Sequence, residues 1–420
     1  MTLHDLARRL AAAALAAADP ERLVRAALAA RQVRWAAALA LGKAAPAMAR
    51  GARDALGPEA ARLLVRTHAT PALLDPAWEE LSGGHPLSDR QSLAAGERAR
   101  RWLGELAPGA PLLALVSAGS SACVEALAGE ITLDDLTATQ RALLGSGLPI
   151  HAFNAVRKHL SAWKGGGALR GTRGPVLALL LSDVPGDDPG TIGSGPFAAD
   201  PTTFAEALAA VAPLAVPEVV RERLAAGARG ELPETVKPGD PELARLEQVL
   251  VGSVATAVAA AAEEVRRNGF AAATGDLAGE AAHAARALVE RGRALAGGRV
   301  ALILGGETTV TLGPSPGRGG RNQELALAAA RELAGGTGEL VLALATDGED
   351  GPTRYAGGIV DGDSWAALER AGADPAGALA RHDSERALAA LPGALLDTGN
   401  TGTNVADLAV YLRDRPARST

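Results

Sequence analysis

Short, uninterrupted apolar runs alternate with stretches of helical periodicity along most of this chain. Such alternation predicts parallel strands joined by crossover helices, and therefore an α/β fold. The predicted strands are Trp35–Leu41, 62–66, Leu112–Val116, Val176–Leu181, 300–304 and 340–345. The predicted helices include one at the N-terminus, one from Lys43 through Leu56, then 133–144, 150–163, 242–267, 280–293, Arg321–Leu333 and a last helix from near Thr403.

Composition limits the class of protein. The 420 residues are 48% hydrophobic, which suits two or three domains with sizeable cores. A polar, Pro-rich stretch at 232–241 predicts a domain connection, with domains at 1–238 and 239–420. A net charge of −6 argues against nucleic acid as a partner.

The sequence also bears on location. The single cysteine, Cys123, allows no intrachain disulfide, and no apolar run approaches the length of a membrane span. Arg8-Arg9 precede an alanine-rich run that resembles a signal peptide, but its periodicity favours a helix. We therefore expect a cytoplasmic protein without a membrane partner.

The loops after the predicted strands are unusual. Parallel sheets bind ligands beyond the carboxyl ends of their strands, where the N-termini of the following helices favour an anion. Lys43 stands at such a junction, and only Lys158, Lys164 and Lys237 accompany it as lysines. A lysine retained among so many arginines indicates a role for a compact ammonium, although a solvated lysine at a helix start is the plainer alternative.

Five further segments carry candidate residues, most of them with a structural alternative. The turn at 117–121 offers backbone N–H groups to a phosphate, or simply starts a helix. Asp183 and Asp347 end strands and suit Mg²⁺, whereas Asp187, Asp188 and Ser194 also fit ordinary turn chemistry. Thr403 and Asn404 are alternatively caps of the last helix. A helix start at 319–324 carries the run Arg321, Asn322, Gln323 and Glu324.

That run is richer than a helix start requires. Arg321 can offer a bidentate fork to phosphate or carboxylate, with Arg318 as a rival cation. Glu324 is alternatively a capping-box residue. The chain has no phosphate-binding Gly-x-x-x-x-Gly-Lys-Ser/Thr motif, no convincing dinucleotide fingerprint and no histidine spacing typical of zinc.

Taken together, these loops resemble the class II glycerate kinases, the glycerate 2-kinase family whose C-terminal module is called MOFRL. The matching motifs run in order over nearly the whole chain. They are Gly42-Lys43-Ala44-Ala45, His85-Pro86, Arg157-Lys158-His159-Leu160-Ser161, Lys164-Gly165-Gly166, Ser182-Asp183-Val184, Gly193-Ser194-Gly195-Pro196, Gly305-Gly306-Glu307-Thr308-Thr309, the run at 319–325, Thr346-Asp347-Gly348 with Asp350-Gly351-Pro352-Thr353, and Thr401-Gly402-Thr403-Asn404-Val405 with Asp407.

The resemblance implies a Rossmann-like N-terminal domain with a parallel sheet, a smaller MOFRL-type α/β C-terminal domain and an active site in the cleft between them. It implies phosphorylation of D-glycerate to 2-phosphoglycerate with ATP and Mg²⁺, and leaves a homodimer open. Lys43 and Arg321 match the family's catalytic cations, and Asp183 and Asp347 are the candidate bases or metal ligands. The residues expected to bind substrate or nucleotide are Ser117, Gly119, Ser120, Ser121, Lys164, Asp187, Ser194, Glu307, Asn322, Gln323, Glu324, Asn400, Thr403 and Asn404.

Two departures from the family pattern bear on these expectations. The family's Ser-Gly-Gly-Gly-Ser turn is here Ser117-Ala118-Gly119-Ser120-Ser121, so added side chains would intrude wherever the backbone needs positive φ. The family's Lys-Gly-Gly-Arg ends here in Gly167, which removes one cation. The competing hypotheses are an NAD(P)H-dependent hydroxypyruvate reductase and a non-catalytic sensor of nucleotides or sugar acids.

Overall fold

The computed structural model describes residues 1–415. Its helices are α1 Leu3–Ala17, α2 Pro20–Ala29, α3 Ala45–Ala52, α4 Arg90–Glu105, α5 Ser120–Cys123, α6 Leu133–Gly145, α7 Ile150–His159, α8 Gly167–Arg170, α9 Phe204–Val211, α10 Glu218–Ala228, α11 Val254–Arg267, α12 Ala281–Ala294, α13 Arg321–Leu333, α14 Ser364–Arg370, α15 Pro375–Ala380 and α16 Ser384–Ala389. Its strands are β1 Trp35–Leu41, β2 Leu56–Thr67, β3 Glu79–Gly83, β4 Leu112–Val116, β5 Val176–Leu181, β6 Leu246–Gly252, β7 Ala271–Leu277, β8 Arg299–Gly306, β9 Glu339–Ala345, β10 Gly357–Asp361, β11 Leu395–Leu396 and β12 Asp407–Asp414.

The chain forms two compact units. The first comprises residues 20–251, and the second combines residues 1–19 with the chain from Gly252 onward. The predicted domains, 1–238 and 239–420, differ from these units mainly because α1 packs with α11 in the second unit. In the described part of the chain, no helix is both long and apolar enough to cross a membrane.

The first unit is built on a six-stranded sheet of order β3-β2-β1-β4-β5-β6, in which β1 to β5 pair in parallel. The central strands β1, β4 and β5 are apolar and almost wholly buried because helices cover both faces of the sheet there, whereas β2, β3 and β6 carry polar and exposed residues. A second cluster joins α6, α7, α9 and α10 around Leu136, Val156, Phe204 and Leu224. This unit has the predicted Rossmann-like α/β architecture.

The second unit contains a mixed sheet of order β11-β10-β9-β12-β8-β7. Strands β7 and β8 are parallel, whereas β12 lies antiparallel between β8 and β9. The core packs α12 and α13 on this sheet through residues such as Leu288, Leu325, Val341 and Tyr411. The expected smaller α/β domain is therefore present, with an arrangement of strands that is not wholly parallel.

Most predicted elements are confirmed, and β1, β4, β5 and α13 have the predicted bounds. The predicted helix through Leu56 continues past Ala52 as a 3₁₀ turn over 53–55 and stops there, because Leu56 begins β2, which includes the predicted strand 62–66. The predicted helix 150–163 ends at His159.

Two predictions gave the wrong type of secondary structure. The predicted helix at 242–267 is wrong over its first part, where residues 246–252 form β6. Leu246, Leu250 and Val254 recur every four residues, so helical periodicity continues across the strand. The predicted last helix near Thr403 is also wrong, since the chain there leads into β12.

Candidate active site

The turn after β1 is tied to the turn after β4 at the carboxyl edge of the first sheet. The backbone N–H of Lys43 donates to the carbonyl of Ala118 at 2.8 Å. The Ser117 hydroxyl accepts from the N–H of Ala44 at 3.0 Å and donates to the carbonyl of Leu41 at 2.9 Å. Ser117 therefore holds the two turns together, and the parallel register places the half-buried Lys43 beside the 117–121 turn.

Gly119 occupies the crowded centre of this edge. A Cβ on it would lie 3.0 Å from Cγ2 of Thr67 and 3.1 Å from Cγ of Lys43. His85 is the next neighbour, with Cδ2 at 3.4 Å from the same point. Gly119 has a φ of +81° and is the one residue of the 117–121 turn in the left-handed region. The substitutions at Ala118 and Ser120 thus fall where the backbone does not require glycine.

The 193–195 turn meets the same edge. The hydroxyls of Ser121 and Ser194 share a hydrogen bond of 2.7 Å. Ser194 has a φ of +61° and lies between two glycines that are also left-handed. A Cβ on Gly193 would come within 2.3 Å of the Ser120 hydroxyl, a buried group with no hydrogen-bond partner among the described residues. These turns bring Ser120, Ser121 and Ser194 together at one edge of the sheet, and their expected role in ligand binding stays a prediction.

The acidic residues after β5 differ in what holds them. Asp183 follows the strand and is half-buried, as is Asp187, which has a φ of +55°. Asp188 accepts hydrogen bonds from the N–H of Gly190 at 3.1 Å and the hydroxyl of Thr191 at 2.7 Å. Asp188 therefore stabilises its own loop, in line with the turn interpretation.

The Lys164 side chain is buried rather than exposed to solvent. Its fully buried ammonium forms an ion pair with Glu125, which also accepts the Ser161 hydroxyl at 2.6 Å. Burial lowers the pKa of Lys164. Glu125 carried no signal in the sequence, because its partner is 39 residues away along the chain. Arg157 lies near this pair and donates to the carbonyl of Ser121 at 3.1 Å.

In the second unit, Asp350 caps the start of α13 from a distant loop. Its carboxylate accepts the N–H of Asn322 at 3.1 Å and that of Gln323 at 2.8 Å. Gly320 allows this approach, because a Cβ there would lie 2.3 Å from Cγ of Asp350. Burial raises the pKa of Asp350, while the two N–H donors oppose that shift.

Asn322, Gln323 and Glu324 are all buried behind this cap. The Gln323 amide donates to the Thr353 hydroxyl at 2.7 Å, and Glu324 lies 3.1 Å from Nδ1 of His382. Burial raises the pKa of Glu324. No side chain of α13 itself caps its N-terminus, so Glu324 does not serve as a capping-box residue. The expected roles of these three residues in ligand binding stay predictions.

Arg321 is fixed by two carboxylates at this edge. Its Nε donates to Asp407 at 2.5 Å and its Nη2 at 3.1 Å, while Nη1 forms an ion pair with Glu307. About 34% of the Arg321 side chain is exposed, so its guanidinium is oriented without being enclosed. Asp407 is buried, and this burial raises its pKa to about 7 against the opposing effect of Arg321.

The antiparallel strand explains why Asp407 is there. Its partners in the sheet are Gly306 at the end of β8 and Ala345 at the end of β9. The start of β12 therefore lies at the carboxyl edge of its two neighbours. Asp407 was missed as a functional residue because the sequence predicted a helix in place of this strand.

The loop at 399–406 packs against the Asp347 loop. The Thr401 hydroxyl donates to the carbonyl of Thr346, and the Thr346 hydroxyl donates to Ala406, both at 2.6 Å. Asp347 is half-buried beside this contact. Glu307 and Asp347 thus follow β8 and β9, the two neighbours of β12, and Arg321 pairs with Asp407 at the start of β12 between them.

The three candidates in the 399–406 loop are placed differently. The exposed Asn400 accepts the N–H of Gly402 at 3.0 Å, and Asn404 accepts that of Ala406 at 3.3 Å. Thr403 is buried and donates to the carbonyl of Ala18 at 2.8 Å. Neither Thr403 nor Asn404 caps a helix, which corrects that interpretation.

Within residues 1–415, no group of three or more His, Cys, Asp or Glu residues is arranged to hold a metal ion. A magnesium ion bound by one or two carboxylates together with substrate phosphates does not need such a cluster. Asp183 and Asp347 each offer one carboxylate at a strand end. The donors present therefore suit Mg²⁺ that arrives with a nucleotide.

The fold and these strand-end loops define a two-sheet α/β protein with cationic side chains, Lys43 and Arg321, at the carboxyl edges of its two sheets. Residues 6–226 match the family described as a domain of unknown function, DUF4147, and residues 300–407 match the MOFRL family. The chain is 37% identical to the glycerate 2-kinase of Pyrococcus horikoshii and 36% identical to the D-glycerate 2-kinase of Thermotoga maritima, over 98% of each chain.

A further relative and a solved structure are also similar to this chain. A putative hydroxypyruvate reductase of Agrobacterium vitis is 40% identical over 98% of this chain and 96% of its own. The crystal structure of a glycerate kinase from T. maritima superposes with a TM-score of 0.87 at 35% identity, covering 98% of this chain and 99% of that one. The chain belongs to the class II glycerate kinase family, as its motifs indicated.

Proposed function

We propose that this protein transfers the γ-phosphoryl group of ATP to the 2-hydroxyl of D-glycerate and releases 2-phosphoglycerate and ADP. The structural observation that carries the proposal is Arg321, an oriented and partly exposed guanidinium at a strand-end edge. Full-length similarity to proteins named glycerate 2-kinase and D-glycerate 2-kinase supports the choice of reaction.

The two cations would supply most of the catalysis. Phosphoryl transfer depends mainly on positioning and on stabilising the charge of the transferring group. Burial lowers the pKa of Arg321, but pairing with Asp407 raises it more. The guanidinium therefore stays charged throughout the neutral range. Arg321 and Lys43 would bind the transferring phosphoryl group or the carboxylate of glycerate.

Asp183 and Asp347 are the proposed acidic residues. One would accept the proton of the glycerate hydroxyl, and both are candidates to hold Mg²⁺. The metal, when bound, neutralises phosphate charge and orients the phosphate oxygens. The expected contacts with substrate or nucleotide from the 117–121 turn, Ser194, Glu307 and the start of α13 remain part of this proposal.

The turn around Gly119 is the proposed contact for the nucleotide phosphates. Its support is the buried, unpaired Ser120 hydroxyl and the three successive left-handed residues at 193–195. Turns of this kind direct backbone N–H groups toward anions. The single buried cysteine is consistent with the cytoplasmic location that we propose.

The test is to incubate the protein with ATP, Mg²⁺ and D-glycerate and to identify the products by ³¹P and ¹³C NMR. We expect ADP and 2-phosphoglycerate in equal amounts. Formation of 3-phosphoglycerate would contradict the regiochemistry while sparing the kinase. Absence of both isomers, under conditions where a relative is active, would contradict the kinase itself.

A second candidate function is NAD(P)H-dependent reduction of hydroxypyruvate, favoured by the name of the 40% identical relative from A. vitis. The sequence offers no convincing dinucleotide fingerprint for it. Oxidation of NADH or NADPH that requires hydroxypyruvate, without ATP-dependent consumption of glycerate, would decide for the reductase.

A further inference from the structure

A solvent-accessible groove of about 680 Å³ lies within the unit of residues 20–251. Its walls are the second half of α4, the segment from the end of α7 to α8, and the side chains of Phe204 and Arg223. Lys43, the 117–121 turn and Asp183 do not line it, whereas the buried Lys164 does. We call this feature the arginine groove, after Arg100, Arg101, Arg170 and Arg223 in its walls.

The arginine groove has more cationic than anionic groups in its lining. Among the lining residues, Glu97 and Glu234 are the only carboxylates. Glu234 is already paired, with Nε2 of His159 at 2.9 Å and Nζ of Lys237 at 3.1 Å. Lys158 and Lys164 are neutralised from behind by Asp200 and Glu125. The charges left facing the groove are therefore mainly those of its arginines.

Those arginines are poorly compensated. Within the part of the chain that the structure describes, Arg100, Arg101 and Arg223 form no ion pair with a carboxylate. Arg170 has one partner, Glu242, at the long distance of 3.5 Å. Arg100, Arg101 and Arg170 are exposed at the groove, so an anion there would meet several guanidinium groups at once.

Among the arginines of the groove, Arg223 gives the strongest indication of a ligand. It is half-buried, lies over the ring of Phe204 at 5.8 Å from the centroid, and donates through Nε to the carbonyl of His159 at 3.0 Å. Burial lowers its pKa, and no carboxylate among the described residues pairs with it to oppose that effect. Its remaining N–H donors are those of a fork that fits a phosphate or carboxylate group.

We propose that the arginine groove binds a small molecule with two or more negative charges, at a site separate from the candidate active site. Its volume falls in the range of small-molecule sites and is too small for a macromolecular partner. The buried Phe204 and Leu103 lie beneath the groove, and the arginines provide the forks for the negative groups. Phosphate esters and polycarboxylates share this chemistry.

The test is calorimetric titration of the full chain with inorganic pyrophosphate and, separately, with citrate, at fixed ionic strength and without Mg²⁺. Arg223→Gln should weaken binding by about tenfold or more, the effect of losing a charge-assisted hydrogen bond. Arg229→Gln is the matched control, because Arg229 follows the same helix but pairs with Glu231 outside the groove. Arg321→Gln controls for binding at the candidate active site.

Binding that Arg223→Gln weakens, and that Arg229→Gln and Arg321→Gln leave unchanged, would establish the site. Binding of pyrophosphate alone would indicate a phosphate ester as the ligand, and binding of citrate alone a polycarboxylate. Hydrogen-exchange protection of α10 and the second half of α4 on titration is the expected second readout. The proposal is overturned if neither anion binds, if Arg223→Gln binds as tightly as the unaltered chain, or if binding depends on Arg321 instead.

Discussion

At the edge of the first sheet, Lys43 stands on a turn that is held by backbone groups and the Ser117 hydroxyl. At the edge of the second sheet, Arg321 is held by the carboxylates of Asp407 and Glu307. A neutral framework positions the backbone of the first cation, whereas charged partners position the side chain of the second. The two edges should therefore respond differently to pH and to substitution.

The largest expected effect is the loss of either cation. Lys43→Ala and Arg321→Ala should each lower kcat for glycerate phosphorylation by about 10²–10³-fold, because each removes a preorganised charge from the transition state. The measurement is steady-state kinetics with ATP and D-glycerate as varied substrates. Equal turnover in either variant and the unaltered chain would remove that residue from the mechanism.

Arg318 provides a matched control for the second edge. It lies three residues before Arg321, is 65% exposed, and pairs with Glu385 at 2.8 Å. Arg318→Gln should leave kcat within about twofold, since an exposed ion pair contributes little. A large loss in this variant would transfer the cationic role to the rival arginine.

The next prediction distinguishes the two edges by their response to pH. The pKa of Asp407 is raised to about 7, so falling pH neutralises this carboxylate and releases its hold on Arg321. We expect kcat to fall on the acid side of about pH 7, and Asp407→Asn to abolish that limb while lowering kcat by up to about 10²-fold through misplacement of Arg321. A pH–rate profile of both proteins checks this. An unchanged acid limb in the variant would show that another group titrates.

The same carboxyl links pH to stability. Its pKa in the folded state exceeds the ordinary value of 3.8, so the unfolded chain loses the proton first as pH rises. Asp407 therefore contributes stability that is fully present below about pH 4 and is lost as pH rises through about 7. Asp407→Asn should flatten the urea-unfolding free energy over that window, and Ser117→Ala at the first edge should not.

A smaller effect tests the geometry of the first edge. Gly119→Ala places a methyl group 3.0 Å from Thr67 in a left-handed residue, and should destabilise the fold by about 1–2 kcal/mol. Ala118→Gly restores a glycine of the family turn where the backbone does not need one. It should leave the KM for ATP nearly unchanged. Urea unfolding and ATP kinetics of the pair would show whether Gly119 alone sets the turn.

The two edges also differ in how far the sequence predicted them. Lys43, Ser117 and Asp183 follow buried strands of a parallel sheet, so the rule that ligands bind beyond carboxyl ends was enough to group them. Asp407 begins an antiparallel strand, and Thr403 and Asn404 before it resemble helix caps. Asp350, which caps α13 from 28 residues away, depends on a tertiary contact that no local pattern encodes. The ion pairs of Lys164 and Arg321 also join residues that are distant in the sequence, so no local pattern predicted them.

The smallest expected effect concerns the loop beside Asp347. The buried Thr403 hydroxyl fastens that loop to the end of α1 through the carbonyl of Ala18, so we expect its contribution to be structural. Thr403→Val keeps the shape but leaves the carbonyl without its donor, which should lower the free energy of unfolding by about 1–2 kcal/mol. Thr403→Ser keeps the donor and serves as the control. If Thr403→Val instead raises the KM for glycerate or ATP with unchanged stability, Thr403 contacts the substrate, and the charged edge extends farther along the 399–406 loop than its hydrogen bonds indicate.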